Sequence, residues 1–216
     1  MTSSTNRPPA PLKDHSHYYD GAFYAWVLDP ILKEVRNQIL SQIPKDTYVV
    51  DMACGTGALA FELAKMGNRV IGVELSKAMH HYSQQKLSKI PLSNLEFCYG
   101  DATNLPEFKT HQFDYAIFSM TLHEMPPTIR LQALQEAKRI SKSIIIADYI
   151  NPMPLNLSGL LVRIAEFFAG QQHYKGYKDY QRTGGLAALL QKLDLIVETR
   201  KKSPKHNIEV VVCQPH

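Results

Sequence analysis

The sequence predicts an α/β fold, a doubly wound and mostly parallel sheet that ends in an antiparallel C-terminal hairpin. Three observations carry that prediction. A β-branched and aromatic run at residues 47–50 leads through Asp51 into a glycine turn, Gly55-Thr56-Gly57, and then into helix-forming residues from Ala58 to Ala64. Strand-like and helix-like segments alternate as far as residue 150, a pattern that favours parallel strands with helices on both faces. Residues 195–200 and 208–213 then read as two strands joined by Ser203-Pro-Lys-His-Asn207, with no crossover helix between them.

The elements follow in order. Residues 1–13, with Pro8, Pro9 and Pro11 and no apolar period, read as a disordered tail. Residues 14–43 form a helical leader whose apolar stripe is Trp26, Leu28, Ile31, Leu32, Val35, Ile39 and Leu40. Strand 47–50 and helix 57–66 come next, then strand 69–75 and a helix capped by Ser76. Strand 95–101, a loop through Pro106 and strand 113–119 follow. Pro126 and Pro127 start a helix over 128–140, with Ile129, Ala133, Ala137 and Ile140 on one face. Residues 143–150 are apolar enough for a strand buried on both sides. The pattern changes over 151–193, a helical or lid-like insertion. It holds an amphipathic stripe (Leu157, Leu160, Leu161, Ile164, Ala165, Phe168), a polar and aromatic connection at 171–182, and a helix at 186–193. No repeat and no second domain is visible, so 14–216 reads as a single domain.

Composition narrows the function classes. A chain of 216 residues with 44% apolar and 20% charged residues suits one soluble domain with its own core. The net charge of +4 is a mild bias without a concentrated basic patch, so no nucleic-acid partner is expected. Cys54, Cys98 and Cys213 are too scattered for a disulfide framework and suit a reducing compartment. With no signal-like segment and no apolar run long enough to span a bilayer, a cytoplasmic location is expected.

A strand, glycine turn and helix set backbone N–H groups at a helix N-terminus against a ligand. Dinucleotides and S-adenosylmethionine both use this device. The spacing Gly55-x-Gly57-x-x-Ala60, with Glu74 nineteen residues after Gly55, fits the dinucleotide pattern too. Asp51 discriminates between them. Its charge repels a pyrophosphate but favours an ammonium and a sulfonium; at roughly 6 Å and an effective dielectric near 20, a unit-charge pair is worth about 3 kcal/mol.

Asp51-Met-Ala-Cys-Gly55-Thr-Gly57 resembles motif I of the class I S-adenosylmethionine-dependent methyltransferases. The resemblance continues in Val70-Ile-Gly-Val-Glu74-Leu-Ser76, in Gly100-Asp101-Ala102-Thr-Asn-Leu105-Pro106 and in Phe113-Asp-Tyr-Ala-Ile-Phe-Ser-Met120. It spans about residues 47 to 125 and is similar to the group that includes the ubiquinone and menaquinone C-methyltransferases. It implies a Rossmann-like, seven-stranded sheet and S-adenosylmethionine as cofactor. Ligands of such sheets bind outside the carboxyl ends of the strands, which sets the expected roles. Asp51, Ala53, Gly55 and Gly57 frame the methionine moiety. Glu74 takes the ribose hydroxyls with Leu75 against the adenine, and Asp101 meets the adenine amino group with Ala102 lending its backbone. Ser119 and Met120 approach the sulfonium. In this family the leader covers the mouth of the cofactor site, which makes Tyr19 and Asp20 candidates there.

Transfer from a sulfonium is an in-line displacement of an activated methyl group, so holding the reactants in line supplies most of the catalysis, roughly 7–11 kcal/mol. His123, just past the fourth strand, is the sharpest catalytic candidate, a base for an acceptor proton or a residue that orients its loop. Tyr149 is the second. His173, Tyr174, Tyr177 and Arg182 are expected to contact an aromatic or anionic small molecule, the alternative being a solvated surface loop. No Asn-Pro-Pro-Tyr motif follows the fourth strand, which argues against nucleobase and glutamine N-methylation. No His/Cys/Asp cluster has metal-ligand spacing in sequence, so no metal is expected. Neither a phosphate loop nor a Gly-x-Ser-x-Gly elbow is present. Two other readings stay open, an NAD(P)-dependent oxidoreductase and a non-catalytic module that uses the fold to bind a partner.

Overall fold

The computed structural model describes residues 32–203 and 207–215. The disordered tail expected at 1–13, most of the leader, and Tyr19 and Asp20 lie outside the described residues.

The first described helix, α1 (Lys33–Leu40), precedes β1 (Tyr48–Met52). The chain then alternates through α2 (Ala58–Lys65), β2 (Arg69–Glu74), α3 (Lys77–Lys89), β3 (Leu95–Tyr99), β4 (Phe113–Ser119), α4 (Pro127–Ile140) and β5 (Ser141–Tyr149). Three helices come next, α5 (Leu157–Phe168), α6 (Gln171–Arg182) and α7 (Gly185–Lys192). The hairpin β6 (Leu195–Ser203) and β7 (Ile208–Pro215) ends the described chain. The seven strands lie in the order β3-β2-β1-β4-β5-β7-β6. The first five are parallel, and β7 inserts antiparallel between β5 and β6. The chain order reverses between β1 and β4, where a sheet of this kind opens a crevice for a ligand.

Alternation along each strand divides the core in two. Val50, Met52, Ile144 and Ile146 point to the face covered by α4, α6 and α7, among Leu134, Ile140, Tyr180 and Leu186. Val49, Ile145 and Ala147 point the other way, to Val35 and Ile39 of α1 and Leu59 and Leu63 of α2. The same alternation sets Asp148 on the α4 and α6 side of β5, fully buried.

Two boundaries matter for the site. The first strand runs to Met52, so Asp51 is a strand residue paired beside Gly72 and Ile117, and it is 2% exposed. Residues 171–182 form a regular helix and not a connection, with Gly176, Tyr177 and Tyr180 buried. Gly176 makes this packing possible, because a Cβ there would lie 2.3 Å from the backbone oxygen of Glu124. The helix α5 inverts the usual arrangement. Leu157, Leu160, Leu161, Ile164, Phe167 and Phe168 are exposed, while its carboxylate, Glu166, is buried. No helix among the described residues is long and apolar enough to cross a membrane.

Candidate active site

The carboxyl ends of β1, β2, β3 and β4 carry the expected cofactor residues. After β1 the chain passes Ala53 and Gly55 in the left-handed region, at φ 55° and 56°, and reaches Gly57 at φ 73° as the N-cap of α2. Gly57 can be nothing else, since a Cβ would lie 2.4 Å from the Phe97 ring. At Gly55 a Cβ would meet nothing within 4 Å among the described residues, so the turn's backbone borders space that they leave open. Beside it Asp51 is buried, and its Oδ2 has no hydrogen-bond partner among the described residues. Burial, together with the nearby Glu74 charge, pushes the Asp51 carboxyl up to about 7. A buried carboxylate oxygen lacking a donor, next to open space at a helix N-terminus, suits a ligand that brings positive charge.

Glu74 is turned against the glycine turn. Its Oε2 accepts from the Gly55 N–H at 2.8 Å and its Oε1 from the Ser76 N–H at 2.7 Å. Each oxygen keeps a second lone pair for a hydroxyl. Burial raises its pKa against those two N–H bonds, and the charge of Glu124 adds to the rise. Leu75 follows at the strand end, half-buried. Asp101 closes a turn on itself, its Oδ1 accepting from the backbone N–H and hydroxyl of Thr103 at 2.9 and 2.8 Å, and Ala102 is buried beneath it. Ser119 pairs with Ala147 at the end of β4, and Met120 turns at φ 56° with its N–H donating to the Ala147 oxygen.

The second half of the site gathers residues from four elements. His123 Nδ1 lies 2.7 Å from Asp148 Oδ1, and its backbone N–H donates to Asp148 Oδ2 at 3.1 Å. Its Nε2 faces Glu166 Oε1 at 3.6 Å. The Tyr149 hydroxyl donates to the same Oε1 at 2.9 Å, and the Tyr149 ring packs on His123 at 4.7 Å. His173 completes the set, with Nδ1 2.9 Å from Glu124 Oε2 and Nε2 2.7 Å from Glu166 Oε2. The result is an alternating row: Asp148, His123, Glu166, His173, Glu124. Burial works against charge on both imidazoles. At His123 the Asp148 charge outweighs it and raises the pKa, and at His173 the contacts with Glu124 and Glu166 carry it up to about 10. Burial, then the Glu166 charge, pushes the Tyr149 hydroxyl well above its ordinary range.

Of the expected acceptor-side residues, the fold brings His123, Tyr149 and His173 together, with Tyr177 5.7 Å from the Tyr149 ring and Tyr174 stacked on Tyr177. It does not bring Arg182, which is exposed at the far end of α6 and pairs with Asp179. Three members went unassigned in the sequence. Glu166 is one acid in an apolar run, Asp148 ends a strand, and Glu124 follows His123. A lone acid inside an apolar segment was the available signal. Arg130 was missed as well. It is 1% exposed and donates to the carbonyls of Leu122, Met125 and Gly176 at 2.7, 2.8 and 3.2 Å, tying the His123 loop to α6. The expectation of no metal rested on sequence spacing alone. Folding brings ligand atoms of His123, Glu166 and His173 within 4.8 Å of one another.

A family model described as a methyltransferase domain matches residues 49–143. The chain is 30% identical over 125 residues to an O-methyltransferase of Penicillium expansum, a match covering 56% of this chain and 45% of that protein. It is 28% identical over 151 residues to a demethylmenaquinone methyltransferase of Listeria monocytogenes, covering 65% and 62%. The match thus spans about half to three-fifths of these relatives. Among solved structures, a protein of Pyrococcus horikoshii superposes with a TM-score of 0.70 at 23% identity, over 92% of this chain and 95% of that one. The magnesium protoporphyrin IX methyltransferase of Synechocystis, with S-adenosylhomocysteine bound, gives 0.63 at 19% identity over 87% and 83%. At these identities the structures establish a shared fold.

Proposed function

We propose that this chain acts as a class I S-adenosylmethionine-dependent methyltransferase, transferring a methyl group from S-adenosylmethionine to a small-molecule acceptor by in-line displacement, a reading that the methyltransferase-domain match over residues 49–143 supports. One observation carries the reading: among the described residues Asp51 Oδ2 is buried without a donor, beside a glycine turn with nothing within 4 Å of where a Gly55 side chain would begin. A ligand with an ammonium and a sulfonium supplies the missing positive charge, whereas a diphosphate would add repulsion. In this reading Asp51, Ala53, Gly55 and Gly57 hold the methionine end. Glu74, Leu75, Asp101 and Ala102 hold the nucleoside, and Ser119 and Met120 border the sulfonium.

His123 and Tyr149, at the ends of the two strands beyond β1, are the acceptor-side groups. His173, Tyr174 and Tyr177 of α6 close over them. The rings and the imidazole–carboxylate row suit a planar acceptor that carries an oxygen. The demethylmenaquinone methyltransferase relatives bear names of that kind, but they extend well beyond the matched region. A cytoplasmic location accords with the free cysteines and with the absence of a spanning helix among the described residues.

Calorimetry with S-adenosylhomocysteine and with NADH tests the assignment. Tighter binding of S-adenosylhomocysteine, lost in Asp51→Ala, is expected; tighter binding of NADH would return the chain to the oxidoreductase reading. A non-catalytic, partner-binding role gains support from one feature, the exposed apolar face of α5. It predicts that Asp51→Ala loses cofactor while cellular function persists.

A further inference from the structure

We infer that His123, Glu166 and His173 form a binding site for a divalent first-row transition ion, with Asp148 and Glu124 as its outer partners. The inference goes beyond methyl transfer and does not depend on it.

The geometry has the form that metal-bound histidines take. A ligating imidazole coordinates through one nitrogen and gives the other to a carboxylate, which fixes the ring and raises its basicity. Both imidazoles are arranged this way. His123 has Nδ1 on Asp148 at 2.7 Å and His173 has Nδ1 on Glu124 at 2.9 Å, so both Nε2 atoms face inward on one carboxylate. That carboxylate, Glu166, is 5% exposed, with His173 Nε2 2.7 Å from its Oε2 and His123 Nε2 3.6 Å from its Oε1. An ionised carboxylate has about four lone-pair sites, so one oxygen can turn to an ion while the other keeps its partner.

The dimensions fit. Bonds of about 2.0–2.2 Å to nitrogen and oxygen set neighbouring tetrahedral ligand atoms about 3.3 Å apart. The two Nε2-to-carboxylate distances are 3.6 and 2.7 Å, and all ligand atoms lie within 4.8 Å of one another. Side-chain shifts of no more than about 1.5 Å close the set around an ion. Two imidazoles and one carboxylate select zinc, iron, cobalt or nickel over magnesium or calcium, whose preference is for oxygen. Three protein ligands leave at least one coordination position open. Glu124 and His173, the more exposed members, give the route of entry. An ion here would also clamp α5 and α6 to the loop after β4, since each of the three supplies one ligand. If the proposed methyl transfer holds, the open position is where an acceptor oxygen would bind.

The test uses untagged full-length protein, stripped with a chelator and free of cofactor. Zinc is titrated in competition with a chromophoric chelator, and cobalt is added as a spectroscopic probe. The expected result is one zinc per chain with a submicromolar Kd, and visible cobalt bands of a four- or five-coordinate site. Glu166→Gln and His173→Gln should each weaken zinc binding at least a hundredfold. Glu124→Gln removes only the outer partner of His173 and should weaken it about 10–100-fold. Because Glu124 is partly exposed, that variant keeps the test valid if the buried ones fail to fold. Weak or substoichiometric zinc overturns the site and leaves a metal-free row of hydrogen-bonded ion pairs. Equal affinity in wild type and Glu166→Gln also overturns it, by locating the ion elsewhere, for example at His80 and His81 of α3. Failure of methyl transfer touches neither result.

Discussion

Gly176 of α6 passes so close to Glu124 that a single added carbon would fall 2.3 Å from the Glu124 backbone oxygen. This contact seats α6 on the loop that carries His123. Gly176→Ala must push the helix and loop apart, an overpacking cost of about 1–3 kcal/mol. Chemical denaturation should show that loss. Hydrogen exchange should show faster opening at 121–125 and 171–182 than in β1 or β4.

Arg130 bolts the same joint from below. Its guanidinium donates to three backbone carbonyls, and each acceptor abandoned in a buried place costs about 1–3 kcal/mol. Arg130→Met keeps the volume and removes the donors, so it should destabilise the protein by more than Gly176→Ala. A thermal melt of equal or higher midpoint would show that the carbonyls find other partners.

If Asp51 holds the cofactor as proposed, binding should depend on pH. Burial and Glu74 hold its carboxyl near 7 in the folded protein, against 3.8 unperturbed. Below about 7 the folded state therefore keeps a proton that a cationic ligand must displace. Affinity for S-adenosylmethionine should rise with pH through about 7, by up to about tenfold per unit, and level off above it. Stability without ligand runs the other way. The raised pKa gives a contribution fully present below about 4 and lost as pH rises through about 7. Asp51→Asn should abolish the pH dependence of affinity and melt above wild type at pH 8, with the gap closing by pH 5. Calorimetry and thermal melts across pH 5–8 check both signs.

Gly57 tests whether a side chain is excluded from the turn by its backbone or by packing. The φ of 73° disfavours one, and the Phe97 ring lies 2.4 Å from where a methyl carbon would sit. Gly57→Ala should cost about 1–3 kcal/mol or more. In Gly57→Ala/Phe97→Leu the ring is gone, and only the backbone part of the loss should remain. Urea denaturation of the single and double variants separates the two.

Local chemistry was enough to specify the sheet and the proposed cofactor half of the site. Strand ends, a positive-φ glycine turn and a Ser76 cap are short-range features, and Asp51, Gly55, Gly57 and Glu74 fall within one strand–turn–helix–strand stretch. The other half waited on long-range packing. His123, Glu166 and His173 lie 43 and 7 residues apart, on a loop and two helices that meet because Gly176 and Arg130 let them. No local period announces that meeting. The same packing made 171–182 a helix where a connection was expected, and left Arg182 at its exposed end. It also drew Glu166 inward against the apolar pattern of its own helix, because two imidazoles and a phenol offer a buried carboxylate more than water does there.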